Sequence, residues 1–548
     1  MKNEISKILN LIGVGNTTNA VELAKELYIK NPNNISATKV FAYALIQIGR
    51  FEKVIEVLEN GYKTADNTKD YDFYNNLGYA HLQLESFQKA ITSLEQAVKI
   101  RPNGVQAYIS LADVYQKLKR FHKAEFFINK ALEISRNDPN GFEIENNINL
   151  LLLKSEVNSA LEKNDETVTL FTELLDKSFN ADLFFLLSRI DPNSINEQLV
   201  NLAETKLNLL EKDNFKSLIQ KTNFDASVFY GLGNYFQKKN KIKSEECYIK
   251  ANDKVFKIAR YNSHQYQENI NLIIESYLKF FDQDNLFNAN LGDENFFIVG
   301  SPRSGTTLVE SIITSNNWVY SGGELNLAKR MMEKFISSHD KNIKNLEENF
   351  LNSYLKETGF MKNDLKYLVD KMPENFLYLG FLRKLLPASK FIRIFRNPWD
   401  TATSLYKERY IFNVPYSTSF FNIGIFLSNF EAINGFWSNT IQNKKNIFDI
   451  RYEELVSQPE KSQKSLYEFI GIDYGEYISS KREKFFSNTA SMNQVKSVIH
   501  RNSIKKDIFS SKKNEFYDAF YAQRQYWVNK GILDEKNIFF GYNLNNFD

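Results

Sequence analysis

The chain of 548 residues has one cysteine, Cys247, so neither a disulfide framework nor a cysteine-rich zinc site can be built from it. A single thiol suits a reducing compartment. Charge of either sign is not in excess: the net charge is +3 with 25% charged residues, which argues against a protein that coats nucleic acid and makes any basic site local. Long apolar runs are missing as well. The longest, such as NLLLLK near Leu150, are too short to span a bilayer. The opening MKNEISKILNLIGVGNTTNA has no apolar signal-peptide core, so the expectation is a cytoplasmic protein with no membrane span. Histidine and aspartate do not cluster in a metal-ligand spacing, and no metal is expected. At this length two or more domains are expected.

What is present first is repetition. YDFYNNLGYAHLQLESFQKAITSLEQAVKIRPN, from Tyr71, sets Tyr74, Leu77, Gly78, Ala90, Leu94, Ala97 and Pro102 at the small and large positions of a tetratricopeptide repeat (TPR). The next unit repeats the pattern with Tyr108, Leu111, Ala112, Ala124 and Ala131, a period of about 34 residues. Looser units hold Gly15, Ala20, Ala24 and Pro32, then Ala42, Leu45 and Gly49, and a degenerate one starts at Ala226. Small residues let paired helices approach, large ones fill the groove, and each pair buries its apolar face on the next. The expectation is a helical solenoid over residues 1–285, with poor register over about 141–222. Such a surface either binds a protein partner or serves as scaffold, and no ligand-specific residue stands out.

After Asn285 short apolar runs replace helical periodicity. Strands are expected at Phe296–Val299, Tyr367–Val369, Phe391–Phe395 and Ile447–Ile450, with helices between them and a short strand before Glu324. This alternation predicts a doubly wound parallel sheet over 286–548, so the fold class is an α-solenoid followed by an α/β domain of P-loop-like type. Ligands in such sheets bind beyond the carboxyl ends of the strands. There the first strand leads into GSPRSGTT, Gly300 to Thr307. A helix N-terminus with hydroxyls and free N–H groups suits an anion. Gly300 and Gly305 match a nucleotide-triphosphate loop, but Thr306 stands where its lysine would be. Arg303 supplies a planar charged fork instead. After the third strand, Arg396 and Ser404 are placed where they could converge on a second phosphate, expected to be well separated from the first. Tyr452 follows the fourth strand, placed to stack or hydrogen-bond. Two phosphates without a triphosphate lysine describe 3′-phosphoadenosine 5′-phosphosulfate (PAPS).

SPRSGTTL, DKMPENFLYLG, FRNPWDTATSLY and RYEEL, in that order, make the domain resemble the sulfotransferases over roughly Gly292 to Tyr542. The whole chain resembles bacterial TPR sulfotransferases, whose catalytic part is similar to the tyrosylprotein sulfotransferases. The resemblance implies that Arg303, Ser304, Gly305, Thr306 and Thr307 hold the 5′-phosphosulfate, that Arg396 and Ser404 hold the 3′-phosphate, and that Tyr452 lines the nucleotide. It assigns Lys371 as the cation and, in SNNWVYSGGELNLAKRM, Glu324 as the base. Small-molecule sulfotransferases use a histidine there, and none occurs between Gln265 and Ser338. Ser491 matches a serine that assists the transition state and Lys506 a basic residue near the nucleotide, although Asp507 replaces the family's tryptophan.

The implied reaction moves a sulfuryl group from PAPS to a hydroxyl on a peptide, carbohydrate or small molecule and leaves 3′-phosphoadenosine 5′-phosphate (PAP). The TPR region would recruit or orient that acceptor, and such chains are compatible with a homodimer. The structural alternatives are a Gly-rich turn, a surface arginine, a helix serine, a loop glutamate and a buried tyrosine. At the level of the chain the alternatives are a repeat scaffold with an inactive PAPS- or PAP-binding domain, and a P-loop kinase.

Overall fold

The computed structural model describes residues 1–32, 34–61, 70–136, 147–210, 215, 217–281, 290–338, 342–410, 414–474 and 508–535. Two compact units emerge from their contacts. One comprises Met1–Ser178 with Leu210–Gln220, the other Phe179–Leu209 with Lys221–Asp548.

The first unit is a series of antiparallel helix pairs: Lys2–Gly13 with Thr17–Lys30, Ile35–Gln47 with Phe51–Gly61, Tyr71–Gln83 with Phe87–Ile100, and Val105–Lys117 with Phe121–Arg136. The small positions do what their size requires. A Cβ on Gly78 would lie 2.6 Å from Leu94 Cγ, so only glycine lets the helix sit on that leucine. Ala90, Ala97, Ala112, Ala124 and Ala131 have no exposed surface. Leu94 is likewise fully buried, worth ~1.5–3 kcal/mol of transfer free energy. A further regular pair, Ile148–Ala160 and Asn164–Lys177, falls in the stretch whose repeat register is poor.

In the second unit five parallel strands form one sheet in the order β2-β3-β1-β4-β5, with β1 at Asn295–Gly300, β2 at Val319–Gly323, β3 at Tyr367–Asp370, β4 at Lys390–Phe395 and β5 at Ile447–Arg451. All six residues of β1 are buried, as a central strand covered on both faces must be. Its register pairs Phe297 with Asp370 on one side and Gly300 with Ile394 on the other. The order therefore brings the loops after β1, β3 and β4 together at one edge.

The compact unit starts earlier than the change in sequence texture at 285. Helices between Ala181 and Phe280 pack with the sheet domain: the Tyr277 ring meets Trp437 edge-on at 4.9 Å, Asn252 Nδ2 donates to the Tyr406 carbonyl at 2.8 Å, and Arg409 pairs with Asp182 at 2.9 Å. Among the described residues no helix is long and apolar enough to cross a membrane.

Candidate active site

The loop after β1 is held by steric necessity at its two glycines. A Cβ on Gly300 would come within 2.7 Å of Ile394 Cγ2 and 2.8 Å of Ser304 Oγ. Gly305 has φ +107° and begins the helix Thr306–Ile313; a Cβ there would reach 2.5 Å from Tyr452 Cδ2. Arg303 also takes a left-handed conformation, φ +67°, which is strained for a residue with a side chain. The turn is closed by Ser304, whose Oγ donates to the Ser301 carbonyl at 2.7 Å. Ser304, Thr306 and Thr307 are buried at the start of the helix, where the positive end of the helix dipole favours an anion.

Arg303, Arg396 and Ser404 meet, which corrects the expectation of two well-separated sites. Arg303 Nε donates to Ser404 Oγ at 3.0 Å, and Arg396 Nη1 donates to the Arg303 carbonyl at 2.9 Å. The cause is strand order: β1 and β4 are adjacent, and neighbouring strands lie only about 4.8 Å apart. Arg396 also lies over the Tyr452 ring, 4.5 Å from its centroid, so Tyr452 packs against both the loop glycine and the arginine. Asn397 caps the helix Pro398–Tyr406 through its side chain, and its own N–H donates to Glu453 at 2.9 Å, fixing this loop to the residue after Tyr452.

Glu324 and Lys371 are brought together by the pairing of β2 with β3. Gly323 and Asp370 are in register, and the Lys371 N–H donates to the Gly323 carbonyl at 2.8 Å. The Lys371 ammonium, with no exposed surface, then donates to Glu324 Oε1 at 2.6 Å, while Glu324 itself is 46% exposed and open to a second molecule. Beneath the lysine lies Glu310, also fully buried, with Oε2 3.9 Å from Nζ and Oε1 accepting from the Ser321 hydroxyl at 2.6 Å. Asp370 is fixed by Tyr354 OH at 2.9 Å and the Met372 N–H at 3.2 Å, so the turn that presents Lys371 is rigid.

Three neighbours were not found from sequence. Glu310 was legible in principle, as the single charged residue of the helix TTLVESII. Glu408, 3.7 Å from Arg303, carries no motif signal. Tyr410 is pushed well above the ordinary tyrosine range, chiefly by burial, with Arg303 opposing and Glu408 and Glu324 adding to the rise. Ser491 and Lys506 lie outside the described residues.

The arrangement offers a rigid turn at a helix N-terminus, two arginines at that turn, and a buried cation hydrogen-bonded to an accessible carboxylate. Residues 295–476 match the sulfotransferase family, and residues 73–212 match the fourth ARM domain of tetratricopeptide repeat protein 21. The chain is 28% identical over 305 residues to an uncharacterized protein of Aquifex aeolicus, covering 51% of this chain and 39% of that one. It is 25% identical over 199 residues to protein-tyrosine sulfotransferase 1 of Danio rerio, covering 34% of this chain and 56% of that one. This chain thus spans well under two thirds of the length of either relative. A mouse sulfotransferase solved with PAP aligns at 18% identity and a TM-score of 0.26, over 44% of this chain and 88% of that one. A sulfotransferase-family domain lies in the C-terminal half, and TPR-like repeats precede it.

Proposed function

We propose that residues 286–548 transfer a sulfuryl group from PAPS to an acceptor hydroxyl, and that the repeats within 1–285 recruit or orient the acceptor. The observation that carries this reading is the Lys371–Glu324 hydrogen bond of 2.6 Å beside the loop of Arg303. In such a transfer the acceptor oxygen forms a bond to sulfur while the bond from sulfur to the 5′-phosphate oxygen breaks. The acceptor proton needs a base, and the leaving phosphate needs positive charge. Glu324, half-exposed, is the group that takes the proton. Lys371 and Arg303 supply the cations, and the N–H groups at Thr306 and Thr307 add to them.

Glu310 gives the pair a working logic. When Glu324 accepts a proton it stops balancing Lys371, and a buried ammonium without a counter-ion is costly. Glu310 at 3.9 Å remains as the second anion, so Lys371 keeps its charge as it turns toward the transferring group. On this reading Arg396 and Ser404 hold the 3′-phosphate and Tyr452 lines the nucleotide. Because their loop touches the Arg303 loop, both ends of one nucleotide are read by a single surface.

The test is transfer from radiolabelled PAPS, using the full chain and a panel comprising a tyrosine peptide, an oligosaccharide and a small phenol, with PAP binding measured by calorimetry. Labelled product supports the reading. PAP binding without transfer to any acceptor supports a repeat scaffold with an inactive nucleotide-binding domain, and magnesium-dependent ATP binding would redirect it to a kinase.

A further inference from the structure

Glu408 sits between two arginines from distant parts of the chain. Its Oε2 is 3.7 Å from Arg303 Nη1, and its Oε1 is 3.6 Å from Arg189 Nη2. The Arg303 side chain is 7% exposed and that of Glu408 14%, so their interaction is little screened by water. Arg189 lies at the end of the helix Ala181–Ile190, more than a hundred residues before the first strand, which starts at Asn295. The other end of that helix is fixed to the same segment, because Arg409, beside Glu408 in sequence, pairs with Asp182 at 2.9 Å. The helix cannot drift away from Glu408 without breaking this second tie.

Arg303 is the group that an incoming phosphosulfate would grip, and a carboxylate already occupies one side of it. Two anions compete for one guanidinium. A carboxylate displaced into a partly dry site would be costly if nothing received it. Arg189 removes that difficulty: Glu408 already has one oxygen toward each arginine, so it can pass wholly to Arg189 without losing its counter-charge. We propose that Glu408 is a stand-in anion exchanged for the donor, and that Arg189, a positioning residue on the helix Ala181–Ile190, receives it and so sets donor affinity. This rests on the reading of Arg303 as a donor-binding residue.

The consequence runs against intuition, since removing a site carboxylate should improve binding. Calorimetry with PAP on the full chain tests it. E408Q, isosteric and neutral, releases Arg303 and should tighten PAP about tenfold, as expected when a competing state is removed. R189Q leaves Glu408 on Arg303 alone and should weaken PAP about fivefold or more; R189K, which keeps the charge, should restore most of the affinity. The E408Q/R189Q pair should bind like E408Q. A merely structural role for these residues predicts the opposite for E408Q and additive losses in the pair. Unchanged or weaker PAP binding by E408Q overturns the exchange, as does an R189Q penalty that persists in the E408Q background. If the wild-type chain does not bind PAP at all, the sulfotransferase reading itself fails and takes this proposal with it.

Discussion

The Lys371 ammonium, wholly buried, donates to the half-exposed Glu324 carboxylate at 2.6 Å. The pair is asymmetric: the carboxylate can reach an arriving molecule, whereas the cation is fixed from below by Glu310. Removing the cation should therefore disturb more than chemistry. K371M leaves Glu310 as an uncompensated buried charge and should cost roughly 3–5 kcal/mol of stability. The melting temperature should fall by several degrees, and the K371M/E310Q pair should recover most of that loss. Equal melting of K371M and wild type would show that Glu310 and Lys371 are not coupled.

Gly305 tests the loop itself. With φ +107° and only 2.5 Å from a built Cβ to Tyr452, G305A must move either the turn or the ring. Strain of this kind costs on the order of 1–3 kcal/mol, so PAP should bind about tenfold or more weakly. Calorimetry measures this directly, and wild-type affinity in G305A would detach the turn from donor binding.

Away from the site, the helices Phe420–Thr440 and Lys513–Asn529 bury Glu431 against Arg524, 3.2 Å apart. Burial pushes the Glu431 carboxyl up to about 7, with Arg524 opposing. The folded state thus holds this proton more tightly than the unfolded chain. The stabilisation is fully present below the unfolded carboxylate value and is lost as pH rises through about 7. E431Q, which never ionises, escapes that loss. The melting temperature of E431Q minus that of wild type should increase from pH 5 to pH 8; a flat or falling difference would place the ionisation elsewhere.

The repeats were legible because steric demand writes itself into residue size: Gly78 facing Leu94, and alanines wherever helices touch. The strands were legible from short apolar runs, and each lies where the sequence placed it. The adjacency of the Arg303 and Arg396 loops was not, because residue order along the chain does not reveal that β4 neighbours β1. Nor was the start of the second compact unit, which depends on single tertiary contacts such as Tyr277 on Trp437. Glu324 and Lys371 were assigned through resemblance, and their hydrogen bond comes from the β2–β3 register. Glu408 and Arg189 are invisible to motif reading, since neither belongs to a pattern and their meaning arises only from Glu408 lying between Arg303 and Arg189 in space.

The central claim is that Glu324 takes the proton while the nucleotide is bound by other groups. E324Q, assayed with radiolabelled PAPS and the acceptor that the wild-type chain uses, measures this most directly. Transfer should fall on the order of 10²–10⁴-fold, the usual worth of a positioned base, while PAP binds at least as tightly as to wild type. Retained turnover in E324Q, or loss of PAP binding along with turnover, would contradict the account.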